Sequence, residues 1–226
     1  MSHSISALIL KELRSLSRFI ALAVLADAWL LNEMTGSRFG GTRLVPGLVL
    51  VRADWLVSFG FLAAVIASVL GVAMSLDDGL RGTWPFALFR PVSRRAYFGV
   101  KLVVGSVLTM LLVVLPVAGY SVWAARSETL WRWALLQPAI EACAWSVVIF
   151  LGAFLSGIRP AKWWWSRLWP LGATLVLGLW FWMASLPDSP GGIIVPTAAQ
   201  YWGLCVGMVA LLVVSILAVV EERDFA

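Results

Sequence analysis

The sequence predicts an all-α, polytopic membrane protein with six spans, and three observations carry that prediction. The first is composition: 61% of the 226 residues are hydrophobic, 13% are charged, and the mean hydropathy is +0.91. Soluble domains carry about 25% charged residues, and a water-soluble core of this size has no room for so much apolar surface. Hydrocarbon accepts it on every face of a helix. The second is segmentation. Apolar runs near the ~20 residues needed to span a bilayer occur at about 19–34, 55–75, 98–123, 133–156, 167–186 and 200–220. The third is charge placement, since the basic residues fall in the short connectors between these runs, as membrane topology requires.

Taken in order, residues 4–18 (SISALILKELRSLSR) read as an amphipathic helix. Ile5, Leu8, Ile9, Leu13 and Leu16 share one face, and Lys11, Glu12, Arg14, Ser15 and Arg18 share the other. Such a helix is expected along the membrane surface. The alternative is a signal leader cleaved after the A-x-A pattern Ala26-Asp27-Ala28; against it, the apolar run continues through Trp29, Leu30 and Leu31. The first span contains Asp27. The third contains Pro116, which kinks a membrane helix without ending it. The connector at 35–54 is glycine-rich, and 187–200 (PDSPGGIIVPTAAQ) reads as a turn. No repeat or separate soluble domain interrupts 1–226, which reads as one domain.

With the N-terminus placed inside, the inner connectors hold Lys11, Arg14, Arg18, Arg81, Arg90, Arg94, Arg95, Lys101, Arg159, Lys162, Arg167 and Arg223, twelve of the seventeen basic residues. The expected topology has both termini cytoplasmic. This distribution also argues against nucleic acid as the partner of the +5 net charge. The lipid bilayer is the expected environment. Many of the fourteen tryptophans stand at the ends of apolar runs, among them Trp55, Trp123, Trp133, Trp163, Trp164, Trp165 and Trp202, where headgroup-level rings are expected.

The richest connector is 77–101, DDGLRGTWPFALFRPVSRRAYFGVK. Thr83 is placed to cap a short helix opened by Trp84 and Pro85, which must stop before Pro91. Leu80, Trp84, Ala87 and Leu88 share a face, while Arg81 and Arg90 point elsewhere. Ser93 is placed to cap the third span, with Arg94, Arg95 and Lys101 at its inner boundary. An apolar face rimmed by charge marks a partner surface.

This stretch resembles the cytoplasmic turn of ABC-2-type transporter permeases through Gly82, Thr83, Pro91, Val92, Ser93, Arg94 and Lys101. LILKELRSLSR is similar to the amphipathic start of that family through Lys11, Glu12 and Arg18. The resemblance covers essentially the whole chain. It implies a six-span half-transporter of a prokaryotic inner membrane, an exporter, paired with a second permease copy. It also implies a separate ATP-binding subunit docked through Thr83, Trp84, Leu88, Arg90, Pro91, Ser93, Arg94 and Arg95 and through Lys11 and Glu12. ATP and Mg would then sit on that partner, with no cofactor on this chain. The lysines follow Leu10, Val100 and Ala161, so the Gly-Lys pair of a phosphate-binding P-loop is absent.

Asp27 and Glu141 lie within apolar runs. An ionisable group there costs on the order of 3 kcal/mol on insertion scales and faces protein or water. Each is a candidate contact on the substrate path, or else an interhelical hydrogen-bonding group. Gly203 and Gly207 form a small-xxx-small pattern that permits close helix packing, and Ala63, Ala67 and Gly71 have similar spacing. Cys143 and Cys205 read as small core residues, and no metal-ligand spacing is present. KWWWSRLW at 162–169 reads as a basic aromatic belt. Two rival functional classes remain. A non-transporting scaffold is compatible with the composition. An intramembrane protease, to which EER at 221–223 points, would need embedded histidines, and His3 is the single histidine.

Overall fold

A computed structural model describes residues 2–34, 53–80, 93–126, 136–160, 163–184 and 197–222. All regular structure among them is helical: α1 (Ser2–Ser15), α2 (Ser17–Met34), α3 (Ala53–Leu80), α4 (Arg94–Arg126), α5 (Gln137–Ile158), α6 (Trp164–Ala184) and α7 (Ala198–Glu222). The amphipathic segment and the six apolar runs each coincide with one helix to within a few residues.

Local chemistry sets several of the helix ends. The Ser93 hydroxyl accepts the Ala96 N–H at 3.2 Å, capping α4 as its position in the sequence predicts. At α7, Thr197 Oγ1 accepts the Gln200 N–H at 3.3 Å while Gln200 Oε1 accepts the Thr197 N–H at 2.9 Å, a reciprocal capping box. α4 runs on through Pro116. Pro170 within α6 leaves the Ser166 carbonyl without its usual donor, and Arg159 Nη1 approaches that carbonyl at 3.4 Å.

Among the described residues four helices are long and apolar enough to cross a membrane by length and composition: α3, α4, α5 and α7. The other two predicted spans, α2 and α6, are helical but fall short of that criterion. α2 has eighteen residues and carries Arg18, Asp27 and Glu33. α6 spends its first turns on tryptophans, Ser166, Arg167 and Pro170.

α5 is the axis of the bundle, with 17 of its 22 residues buried, and is flanked by α3, α4, α6 and α7. α2 lies against α3 and α4, and α1 against α4. A cluster through Phe98, Phe150, Phe154, Met74, Leu70 and Ile158 fills the centre. A second cluster around Trp55, Phe59, Val113 and Tyr120 fills one end. Trp55 departs from its expected headgroup position: it is 1% exposed, with its ring 4.4 Å from that of Tyr120 and 5.1 Å from that of Phe59. Trp55 packs into an aromatic trio with Phe59 and Tyr120 instead of facing outward. Trp163, Trp164, Trp165 and Trp169 are exposed, as an aromatic belt requires.

Close helix approach occurs at α3 and α5. A Cβ on Gly71 would stand 2.6 Å from both Ala153 Cβ and the Phe150 carbonyl oxygen, whereas a Cβ on Gly203 or Gly207 would meet nothing within 4 Å. The α7 pair thus lies on the open side of the chain, and the α3 spacing supplies the internal contact. Gly71→Ala is expected to destabilise the protein by about 1–3 kcal/mol through overpacking. Gly203→Ala and Gly207→Ala should stay within about 0.5 kcal/mol of the parent. Denaturant unfolding of the three variants in detergent micelles checks this.

Candidate functional site

One end of the bundle gathers the polar and charged side chains. The start of α4, the latter half of α1, the last turns of α3 and the C-terminal turns of α5 and α7 all meet there. Lys101 is its centre. This side chain is 1% exposed, and its Nζ lies 3.3 Å from Glu12 Oε2 and donates to the Met74 carbonyl at 2.9 Å. It therefore ties α1, α3 and α4 together. The Tyr97 ring lies one turn earlier on α4, its centroid 5.5 Å from Lys101 Nζ and 5.8 Å from Lys11 Nζ. Lys11 Nζ also lies 3.7 Å from Glu12 Oε1 and 3.4 Å from the Tyr97 hydroxyl. The result is a Lys–Glu–Lys chain under an aromatic ring.

Glu12 corrects the sequence expectation. The amphipathic pattern puts it on the polar face of the helix, with Leu13 on the apolar one. The structure buries Glu12 to 1% exposure beside Leu8 and Leu16, while Leu13 is 37% exposed and Leu10 65%. α1 presents the stripe Leu8, Glu12 and Leu16 to the bundle, and Lys101 supplies the charge that makes an inward carboxylate tenable. Placing the two charges together offsets part of their desolvation cost. Removing only one leaves an uncompensated buried charge.

At the surface of this end, Arg95 pairs with Glu221 at 2.5 Å across α4 and α7. Both side chains are well exposed, so the contact orients the helix ends more than it stabilises them. Arg167 reaches from α6 to the end of α5, where Nη2 donates to the Gly157 carbonyl at 2.7 Å and Nε to the Ser156 carbonyl at 3.2 Å. A guanidinium here satisfies terminal carbonyls and complements the helix dipole. Neither Glu221 nor Arg167 is a coupling candidate in the sequence, where they belong to the EER stretch at 221–223 and the basic aromatic belt at 162–169.

Of the sequence-predicted coupling residues, Lys11, Glu12, Ser93, Arg94 and Arg95 belong to this end, with Ser93, Arg94 and Arg95 exposed. Thr83, Trp84, Leu88, Arg90 and Pro91 lie outside the described residues, as does the short helix predicted around them. α3 and α4 flank that segment, and Lys101 bridges them.

The two acids within apolar runs occupy different seams. Glu141 Oε1 accepts from Gln137 Nε2 at 2.9 Å, and its backbone carbonyl accepts the Tyr201 hydroxyl at 2.5 Å, stitching α5 to α7. Asp27 is fully buried on the inward stripe of α2 between Ala23 and Leu30, and neither carboxyl oxygen has a hydrogen-bond partner among the described residues. Cys143 and Cys205 are buried free thiols. Cys143 Sγ lies 3.9 Å from the Val113 carbonyl, close to the turn that Pro116 loosens. Among the described residues no group of His, Cys, Asp or Glu side chains is placed to hold a metal ion.

Lys101→Met and Glu12→Leu, made singly, are each expected to cost about 3–5 kcal/mol of stability. The double variant should recover most of that loss. A double-mutant cycle of thermal unfolding in detergent measures the coupling.

No protein-family model, no curated protein and no solved structure matches the chain. The functional reading therefore rests on the residues themselves and on the geometry of this polar end.

Proposed function

We propose that this chain is the membrane-spanning permease subunit of an ATP-driven ABC-2-type transporter, working as an exporter. In this reading α2 and α6 join α3, α4, α5 and α7 as spans, both termini are cytoplasmic, and the membrane is a prokaryotic inner membrane. A second permease copy completes the substrate path. ATP and Mg are bound by a separate ATPase subunit, which docks on the polar end through the 81–92 segment, Arg94, Arg95 and α1.

The observation that carries the reading is the Lys101 bridge. A coupling device must pass a push from a loop into the spans without dissipating it. Lys101 follows the proposed docking segment by two helical turns and is bonded at once to α1 and to the α3 main chain. A displacement of that segment would move three helices together. α5, the buried axis against which α3 and α4 pack, would receive the motion next. The Arg95–Glu221 pair would extend it to α7. The resemblance of 82–101 to the cytoplasmic turn of such permeases supports the same assignment.

Two experiments test it. In the first, the chain is copurified with its ATPase subunit and assayed in proteoliposomes. Trp84→Ala combined with Arg94→Ala is expected to weaken ATPase binding by roughly 30-fold, the scale of losing an aromatic or arginine anchor, and to uncouple ATP hydrolysis from transport. Undiminished coupling in the double variant would sink the docking assignment, and failure to recover any ATPase would favour a non-transporting scaffold. In the second, a cysteine introduced at Leu88 should react with a membrane-impermeant maleimide only after the cells are opened. Labelling of intact cells would reverse the topology.

A further inference from the structure

α1 and α2 abut at Leu16, which is buried. On the side facing away from the bundle, their junction forms a concave surface lined by Lys11, Arg14, Arg18, Leu10, Phe19 and Leu22. Its charge is of one sign. Glu12, the single acid of α1, points the opposite way into the Lys101 bridge. Arg14 and Arg18 are exposed and enter no ion pair among the described residues. Lys11 shares its charge with Tyr97 and Glu12 and still presents about a third of its side chain outward, at 37%.

The basic residues continue into an apolar track. Positions 11 and 14 on α1 and 18, 22, 25 and 29 on α2 advance by three or four residues, and helical backbone bonds across the junction (Leu16 N–H to Glu12 O at 3.0 Å, Ile20 N–H to Leu16 O at 2.9 Å) keep them on one stripe. Its first part is Lys11, Arg14 and Arg18. Its second part is Leu22, Leu25 and Trp29, which are 64%, 66% and 65% exposed. A stripe that is cationic over two turns and apolar over the next two matches an amphiphile standing parallel to the helix, with an anionic head at one end and hydrocarbon at the other. A soluble anion would use only the lower half, and a neutral lipid would offer no counter-charge to Arg14 and Arg18.

We infer that this junction is a binding site for an anionic phospholipid. The phosphate lies among Arg14, Arg18 and Lys11, and an acyl chain runs along Leu22, Leu25 and Trp29. The lipid would hold α1 at the level of the headgroups from outside, while the Glu12–Lys101 pair holds it from within. The inference is independent of any ATPase partner.

The test is native mass spectrometry of the purified full chain, titrated with phosphatidylglycerol or phosphatidylcholine, with apparent affinities read from the bound fraction. Phosphatidylglycerol is expected to bind more tightly. Arg14→Gln combined with Arg18→Gln should weaken it by roughly 30-fold, from about 1 kcal/mol per basic residue near an anionic surface. Excess glycerol phosphate, which carries the headgroup chemistry without the tails, should not displace the lipid. Equal binding of the two lipids by the parent protein overturns the inference whatever the fate of the variant. Undiminished binding by the folded double variant overturns it too, as does displacement by glycerol phosphate, which would mean a site for a free phosphate group.

Discussion

The arrangement of this molecule depends on a buried charge pair between Glu12 and Lys101. In water such a pair contributes little. Away from water each member is costly alone, and the pair holds only when the geometry is good and further hydrogen bonds are made. Here the Met74 carbonyl and the face of Tyr97 supply the additional contacts. The consequence is less a large net stabilisation than a fixed register. Any sliding of α1 along α4, or of α4 along α3, separates two charges that are both buried. An apolar contact at the same place would tolerate slippage, since lipid and protein interior are about equally apolar.

That register organises the rest of the polar end. With α4 positioned, Arg95 reaches Glu221, and the C-terminus of α7 joins the end where α1 lies. The opposite end is organised by different chemistry: an aromatic trio of Trp55, Phe59 and Tyr120, and the Tyr201 hydroxyl on the Glu141 carbonyl. Between the two ends the helices pack by shape. Gly71 lets α3 approach Ala153, and Gly178 leaves room for the Trp145 indole, whose N–H reaches the Thr174 carbonyl at 3.0 Å. Polar contacts thus hold the ends and small residues set the middle, the division expected where no hydrophobic force drives helices together.

The proposed coupling role follows from this division. The segment between α3 and α4 leads into the junction that Lys101 ties together, and α1 is attached to the same junction. Asp27 stands apart from it. It is buried on α2 with neither carboxyl oxygen hydrogen-bonded among the described residues, and the proposed function assigns it no step beyond its place as a candidate on the substrate path.

What the sequence alone determined was the apolar character of the chain, the location of each described helix and the charge asymmetry of the connectors. Those properties are local: run length, the Ser93 cap, the tolerance of Pro116, and the gathering of arginine and lysine between apolar runs. What only the tertiary structure decided was which face of each helix turns inward. In a soluble helix polarity marks the outer face, but in this chain both faces are apolar, so periodicity carries little information. Glu12 was therefore read as outward until Lys101, 89 positions away, gave it an inward partner. The same holds for Trp55, which took the core in place of the interface, and for the glycine pairs, where Gly71 found a neighbour and Gly203 and Gly207 did not. In each case the deciding contact comes from a residue distant in sequence, and no local pattern encodes which of several apolar surfaces will be the one it meets.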